Sequence, residues 1–75
     1  MFDPFELERI LKEAMPGSQI EVRDMTGGSD HFEILVRSDQ FRGKSMLEQH
    51  RLVYQALGDL MSGPVHAVQI KTVAL

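Results

Sequence analysis

The length, composition and charge of the chain exclude several classes of protein. With 75 residues, the chain has room for one compact domain spanning residues 1–75, because chains near this size bury only about 60% of the surface that their unfolded form exposes. A hydrophobic fraction of 43% and a charged fraction of 25% are typical of a globular domain. The net charge of −3 argues against the positive field over the whole surface that strong nucleic-acid binders carry.

The chain contains no cysteine. This excludes disulfides, a cysteine nucleophile and any metal or cluster site held by the chain's own thiolates. No apolar run approaches the roughly 20 residues that a membrane-spanning helix needs. The start of the chain also lacks the basic flank and apolar stretch of a signal peptide. We therefore expect a cytoplasmic protein that does not associate with membranes.

The first predicted element is a helix that begins at Pro4. Asp3 is suited to the N-cap, Pro4 to the first helical position, and Glu6 to a capping box. Phe2 before the cap can pack against Leu7 as a hydrophobic staple. Apolar residues then recur at helical spacing, which predicts one buried face: Leu7, Ile10, Leu11, Ala14 and Met15.

Two strands are predicted after the Pro16-Gly17 break. Residues 19–24 alternate, with Ile20 and Val22 apolar, as expected of a strand with one wet face. The alternation resumes after the glycine-containing segment 26–30, from His31 through the apolar positions that follow it. The two runs predict an antiparallel hairpin.

A second helix is predicted from the capping box Ser45-Met46-Leu47-Glu48. One apolar face follows it at helical spacing: Met46, His50, Val53, Leu57, Leu60 and Met61. This predicts a helix of about sixteen residues, inside the usual range. Ser62-Gly63-Pro64 ends the pattern, and the β-branched run Val65–Val73 predicts a final strand.

The order of elements is therefore α-β-β-α-β. A strand, a crossover helix and a further strand favour parallel pairing of the second and third strands through a right-handed connection. The predicted fold class is α/β: a single small domain with a three-stranded mixed sheet and helices on one face.

Two histidines are candidate metal ligands, because neutral imidazole is the commonest metal ligand in proteins. His31 opens the second predicted strand and His66 opens the third. Parallel pairing of these strands would place both residues near one end of the sheet. Structural metals usually need four ligands, so an exposed loop role for His31 and a packing role for His66 remain alternatives. His50, on the apolar face of the second helix, is expected to be a core histidine hydrogen-bonded to backbone.

Four basic residues cluster around the turn that enters the second helix: Arg37, Arg42, Lys44 and Arg51. Such a cluster can contact phosphates or an acidic partner, helped by the partial positive charge of the helix amino terminus. A solvated face is the alternative interpretation. The glycines at 27 and 28 lack the lysine of a phosphate-binding loop, and no serine lies in a nucleophile motif. We therefore do not expect an enzyme.

Several segments of the chain occur in one specific order and spacing. They are His31-Phe32 with Val36 and Ser38; Phe41-Arg42-Gly43-Lys44-Ser45; His50-Arg51-Leu52-Val53-Tyr54 with Leu57; and Val65-His66-Ala67-Val68-Gln69-Ile70-Lys71-Thr72. In this combination the chain resembles the BolA-like family. With the preceding helix and strand, the resemblance covers nearly the whole chain.

The resemblance implies a fold like the class II KH domain and association with a monothiol glutaredoxin. In such assemblies a [2Fe-2S] cluster is shared, with the glutaredoxin cysteine and glutathione providing sulfur. His66, in the Val-His-Ala segment, would be the ligand from this chain, and His31 stands in the position of a second ligand. The implied role lies in iron–sulfur cluster assembly, trafficking or iron sensing, with no cofactor expected on the chain alone.

Some members of the family are described as DNA-binding regulators. The alternative implied function is therefore nucleic-acid binding, with Arg42, Lys44 and Arg51 contacting phosphates. Gln49 replaces an arginine often found before the His-Arg pair, and the sequence lacks a basic tail after the last strand. These departures favour the glutaredoxin role. The free chain is expected to be a monomer or a weak homodimer.

Overall fold

The computed structural model describes residues 3–25, 31–58, 60 and 67–75. Within these residues, two α-helices and three strands follow the expected order: α1 Pro4–Ala14, β1 Gln19–Asp24, β2 His31–Ser38, α2 Met46–Leu57 and β3 Ala67–Ala74. A short 3-10 turn, Asp39–Phe41, joins β2 to the segment before α2. As far as the described residues go, neither helix has the length and apolar character needed to cross a membrane.

The three strands form one mixed sheet in the order β1-β2-β3. β1 pairs with β2 antiparallel, and β2 pairs with β3 in parallel, from His31 opposite Ala67 to Ser38 opposite Ala74. The parallel pair is joined through α2, which is the crossover that the element order predicts. The α/β class and the mixed sheet are confirmed, while the KH-like label stays a prediction.

The core lies between one face of the sheet and both helices. Alternate residues of β2 point into it, and the two helices contribute their apolar faces. Its central members are fully or almost fully buried: Leu7, Leu11, Phe32, Ile34, Val36, Phe41, Val53 and Leu57. The other face of the sheet is open to solvent and carries the odd-numbered residues of β1 and β2. Its charged groups include Glu33 and Lys71, whose carboxylate and amine are 3.8 Å apart.

α1 differs from the prediction in two respects, at Glu6 and at Ala14. The Asp3 carboxylate accepts a hydrogen bond from the Phe5 backbone N–H at 2.9 Å, so the N-cap is confirmed. Glu6, however, forms an ion pair with Arg9 instead of a capping box, because that partner lies one turn along the same face. Ala14 is exposed rather than part of the buried face. Phe2 and its predicted staple lie outside the described residues.

The end of α2 and the burial of Met46 at its start were predicted wrongly. The capping box is confirmed: the Ser45 hydroxyl accepts from the Glu48 N–H at 3.2 Å, and the Glu48 carboxylate accepts from the Ser45 N–H at 3.1 Å. The helix ends at Leu57, earlier than expected, because Gly58 takes a φ of +55° that few other residues adopt. Met46 is 60% exposed rather than buried. Met61 and the predicted strand start at Val65 lie outside the described residues.

Candidate functional site

His31 is the first residue of β2, and its side chain is exposed. Its backbone carbonyl accepts a hydrogen bond from the Met25 N–H at 2.8 Å. This bond extends the β1–β2 ladder by one pair beyond Asp24 and Phe32. The sheet therefore holds the backbone of His31, although the residue follows a glycine-containing segment of the sequence.

Ala67 is the register partner of His31 across the parallel β2–β3 pair. Neighbouring strands run about 4.8 Å apart, so the backbone of Ala67, the residue that follows His66 in the sequence, lies beside that of His31. His66 itself lies outside the described residues, so its ligand role stays a prediction.

The donor set of the chain is too small for a closed metal site made by the described residues. No cysteine is present in the sequence, and no group of three or more His, Cys, Asp or Glu side chains comes together in the described part of the chain. A [2Fe-2S] cluster needs four ligands, and imidazoles can replace two of the thiolates on one iron. The residues present therefore fit a cluster only if a partner supplies the sulfur ligands.

His50 does not occupy the core position that was predicted for it. It is half-buried, whereas Val53 and Leu57 on the same helix are almost completely buried. Its imidazole forms no hydrogen bond with any other residue that the structure describes. The helical period identified the side of α2 correctly, but residue 50 lies at the margin of the core.

The structure separates one of the four basic residues from the others. Arg37 projects from the open face of the sheet, because the alternate residues of β2 on either side of it are buried beneath the helices. The other three are exposed and lie around the start of α2: Arg42, Lys44 and Arg51. The predicted cluster is therefore wrong for Arg37, because a period of two assigns neighbouring strand residues to opposite faces.

The remaining basic group is partly balanced by acceptors. The Nε atom of Arg42 donates to the backbone carbonyl of Leu75. Hydrogen bonds from the Ser45 backbone N–H and hydroxyl lower the pKa of the Glu48 carboxyl, and the charges of Lys44 and Arg51 lower it further. Glu48 is thus an anion within the basic group at neutral pH.

Phe41, the aromatic residue in the turn before α2, is completely buried in the core. Its ring anchors this turn to the domain and is not accessible to stack on a nucleic-acid base. Tyr54 is 43% exposed. The exposed basic side chains at the start of α2 can therefore contact phosphates, while Phe41 contributes to the core and not to binding.

One contact at this surface was missed by sequence reasoning. The Gln49 side-chain amide donates to the Lys44 carbonyl at 3.0 Å, and its oxygen accepts from the Thr72 hydroxyl at 2.5 Å. Gln49 therefore joins α2, the preceding turn and β3. Gln49 and Thr72 are 23 residues apart, so no local sequence pattern indicates that they form a hydrogen bond. Sequence reasoning noted only that Gln49 replaces an arginine.

The fold and the position of His31 define a class of small α/β domain. Two helices cover one face of a three-stranded mixed sheet, and a histidine opens the central strand opposite the start of β3. A family model described as BolA-like protein matches residues 3–75. The chain belongs to the BolA-like family.

Individual relatives agree with this assignment. The uncharacterised protein RP812 of Rickettsia prowazekii is 39% identical over 70 residues, which cover 93% of this chain and 91% of the relative. A solved BolA homologue from Coxiella burnetii superposes with a TM-score of 0.85 at 29% identity, covering 99% of this chain and 92% of the homologue.

Other relatives are longer than this chain. The DNA-binding transcriptional regulator BolA of Escherichia coli is 37% identical over 46 residues, which cover 61% of this chain and 44% of the regulator. The chain also spans about half the length of the mammalian relatives named BolA-like protein 1.

Proposed function

We propose that this domain is a binding module that partners a monothiol glutaredoxin and shares a [2Fe-2S] cluster with it. His66 is the principal ligand from this chain, and His31 is the second. The domain catalyses no reaction alone and acts in cluster assembly, trafficking or iron sensing. The observation that carries the proposal is the parallel register, in which His31 stands opposite the residue that follows His66.

The chemistry of the available donors supports a shared cluster. The chain offers imidazole nitrogens and no thiolate, so the sulfur ligands must come from the glutaredoxin cysteine and from glutathione. His31 is exposed at the start of β2, and the next residue of the strand, Phe32, is fully buried. Because His31 is part of β2 and not of a loop, its backbone position is fixed by the sheet, which favours a defined position of its imidazole at an interface.

Anaerobic reconstitution tests this proposal directly. The chain is mixed with a monothiol glutaredoxin, glutathione, iron and sulfide, and the complex is isolated by size-exclusion chromatography. We expect a heterocomplex with the absorption and circular dichroism of a histidine-ligated [2Fe-2S] centre, and no cluster on the chain alone. A glutaredoxin spectrum that is unchanged by the chain, with no complex isolated, would contradict the proposal.

Nucleic-acid binding is the second candidate function. The supporting observations are the exposed Arg42, Lys44 and Arg51 around the start of α2 and the relative in Escherichia coli, which is named as a DNA-binding transcriptional regulator. Glu48 in the same group and the hydrogen bond that Arg42 makes to Leu75 weaken this interpretation. We therefore rank it below the cluster-sharing role.

Salt dependence distinguishes real phosphate contacts from a solvated basic face. Each phosphate contact contributes a slope of about −0.9 to the plot of log affinity against log salt. If this surface binds DNA, neutralising Arg42, Lys44 and Arg51 together should lower affinity and flatten that slope. Neutralising Arg23, Arg37 and Lys71 on the open face of the sheet is the matched control. Equal effects of the two triple variants would reject this surface as the DNA contact.

A further inference from the structure

The outer edge of β1 has backbone groups that the sheet does not use. In the sheet that the described residues form, β1 is an edge strand and β2 is its neighbour. Antiparallel ladders alternate bonded and non-bonded pairs. Because Met25 and His31 form a bonded pair, the backbone groups of Glu21 and Arg23 point towards β2. Those of Ile20 and Val22 point outwards, along the free edge.

The open face beside this edge carries two charged side chains, and the helix face carries apolar groups together with the carboxylates of Glu8 and Asp24. Glu21 and Arg23 are exposed on the open face, and neither forms an ion pair with another described residue. On the helix face, Val22 is half-buried and Phe5 of α1 is 79% exposed. A groove of about 380 Å³ runs between the start of α1 and this edge, lined by Pro4, Phe5, Glu8, Glu21, Val22, Arg23 and Asp24.

We propose that β1 pairs antiparallel with β1 of a second copy of this chain, about a two-fold axis at Val22. The two three-stranded sheets then become continuous, and the two Val22 residues exchange a pair of backbone hydrogen bonds. The proposal is independent of the cluster site, since it uses the edge of β1 and neither histidine.

Charge selects this register among the neighbouring ones. In the register centred on Val22, Glu21 of each copy faces Arg23 of the other, which gives two attractive cross-strand pairs on the open face. Moving the axis to Glu21 places two glutamates opposite each other. Moving it to Arg23 places two arginines opposite each other. These shifts keep the outward backbone groups paired, so backbone hydrogen bonding does not discriminate between the registers, whereas the charges do.

The apolar face supports the same arrangement. The two-fold axis brings the Val22 side chains together on the helix face, where each is flanked by the exposed Phe5 ring of its own α1. Edge strands are normally protected from pairing by proline, bulges or unpaired charges. β1 has no proline or glycine between Gln19 and Asp24, and its two open-face charges are self-complementary.

Charge-swap complementation tests the pairing and its register together. Sedimentation equilibrium of the whole chain, at concentrations up to about 1 mM, should show association from the monomer mass of 8.5 kDa to a dimer. Glu21→Arg and Arg23→Glu should each raise the dissociation constant at least about tenfold, because each variant replaces two attractive pairs with two repulsive ones. Mixing the two single variants restores complementary pairs, so the mixture should dimerise as the original chain does.

The double variant Glu21→Arg/Arg23→Glu reverses both charges and should dimerise as the original chain does. Arg37→Glu, on the open face of β2, is the matched control and should leave association unchanged. Circular dichroism verifies that every variant is folded. A chain that stays monomeric at all concentrations would overturn the proposal. So would a dimer whose dissociation constant is unchanged by either single substitution, or a mixture of the two single variants that does not dimerise.

NMR chemical shifts of backbone amides identify which molecule pairs with the free edge of β1. Backbone amide signals of Ile20 and Val22 should move with protein concentration in a dilution series, because their N–H groups point to the free edge. If these signals move only when a glutaredoxin is added, and the chain remains monomeric without it, the edge binds that protein instead. Self-pairing through β1 is then rejected.

Discussion

Ala67 stands directly opposite His31 in the parallel register of β2 and β3. Two segments that are far apart in the sequence therefore begin at the same end of the sheet. This relationship places the exposed His31 beside Ala67, the residue that follows His66 in the sequence. Substituting each histidine in turn tests its contribution to a shared cluster.

The two histidines should contribute unequally to the shared cluster. His66→Ala should abolish the absorption and circular dichroism of the mixed centre without unfolding the domain, while His31→Ala should weaken or alter the spectrum. The reason is that His66 is the principal ligand in the proposal and His31 the second. His50→Ala is the control, because residue 50 lies on α2 and not on the strand that His31 opens. An unchanged spectrum for His66→Ala in an intact complex would leave this chain with a docking role alone.

The contact between Gln49 and Thr72 should stabilise the domain. Gln49→Ala should lower the free energy of unfolding by about 1 kcal/mol, the usual net value of such a hydrogen bond. Gln55→Ala, an exposed position on the same helix, is the control because both changes gain the same helix propensity. Thr72→Val completes a double-mutant cycle in urea denaturation. Strictly additive losses for Gln49→Ala and Thr72→Val would show that the two side chains are not coupled.

The capping box of α2 should make stability depend on pH. Hydrogen bonds from Ser45 hold the pKa of Glu48 below its ordinary value of 4.5. As pH falls, Glu48 is therefore protonated at a higher pH in the unfolded chain than in the folded chain. The ionised carboxylate stabilises the folded state at pH values above the unfolded pKa. This contribution is lost as pH falls through the folded pKa. Glu48→Gln should reduce stability at pH 7, and the difference from the original chain should shrink below pH 4.5. A difference of constant size across the titration would contradict this account.

Two helical leucines should differ in how much their substitution lowers the free energy of unfolding, because one is buried and the other exposed. Leu11→Ala should cost about 2–5 kcal/mol, because removing a buried side chain leaves a cavity as well as losing its transfer free energy. Leu11 is completely buried, whereas Leu47 is 61% exposed. Leu47→Ala should therefore change stability by no more than about 0.5 kcal/mol. Thermal unfolding followed by circular dichroism measures both, and comparable losses would show that the core assignment is wrong.

Local signals in the sequence predicted most of the secondary structure. The N-cap at Asp3, the alternation of residues 19–24 and the Ser45–Glu48 capping box all appear as expected. These features depend on residues within a few positions of one another, so a single stretch of sequence contains the physical information. The family motifs singled out His31 and His66, whose ligand roles stay predictions.

Features that depend on contacts between distant segments were decided by the tertiary structure. Periodicity showed that one side of α2 is apolar, yet only the folded structure shows that Met46 is exposed and that His50 lies at the core margin. The same is true of the Gln49–Thr72 bond. A repeat of 3.6 or 2 residues specifies the direction of a side chain from its own element. It carries no information about which other element meets that side chain, because such partners are brought together only when the sheet register and the helix positions are formed.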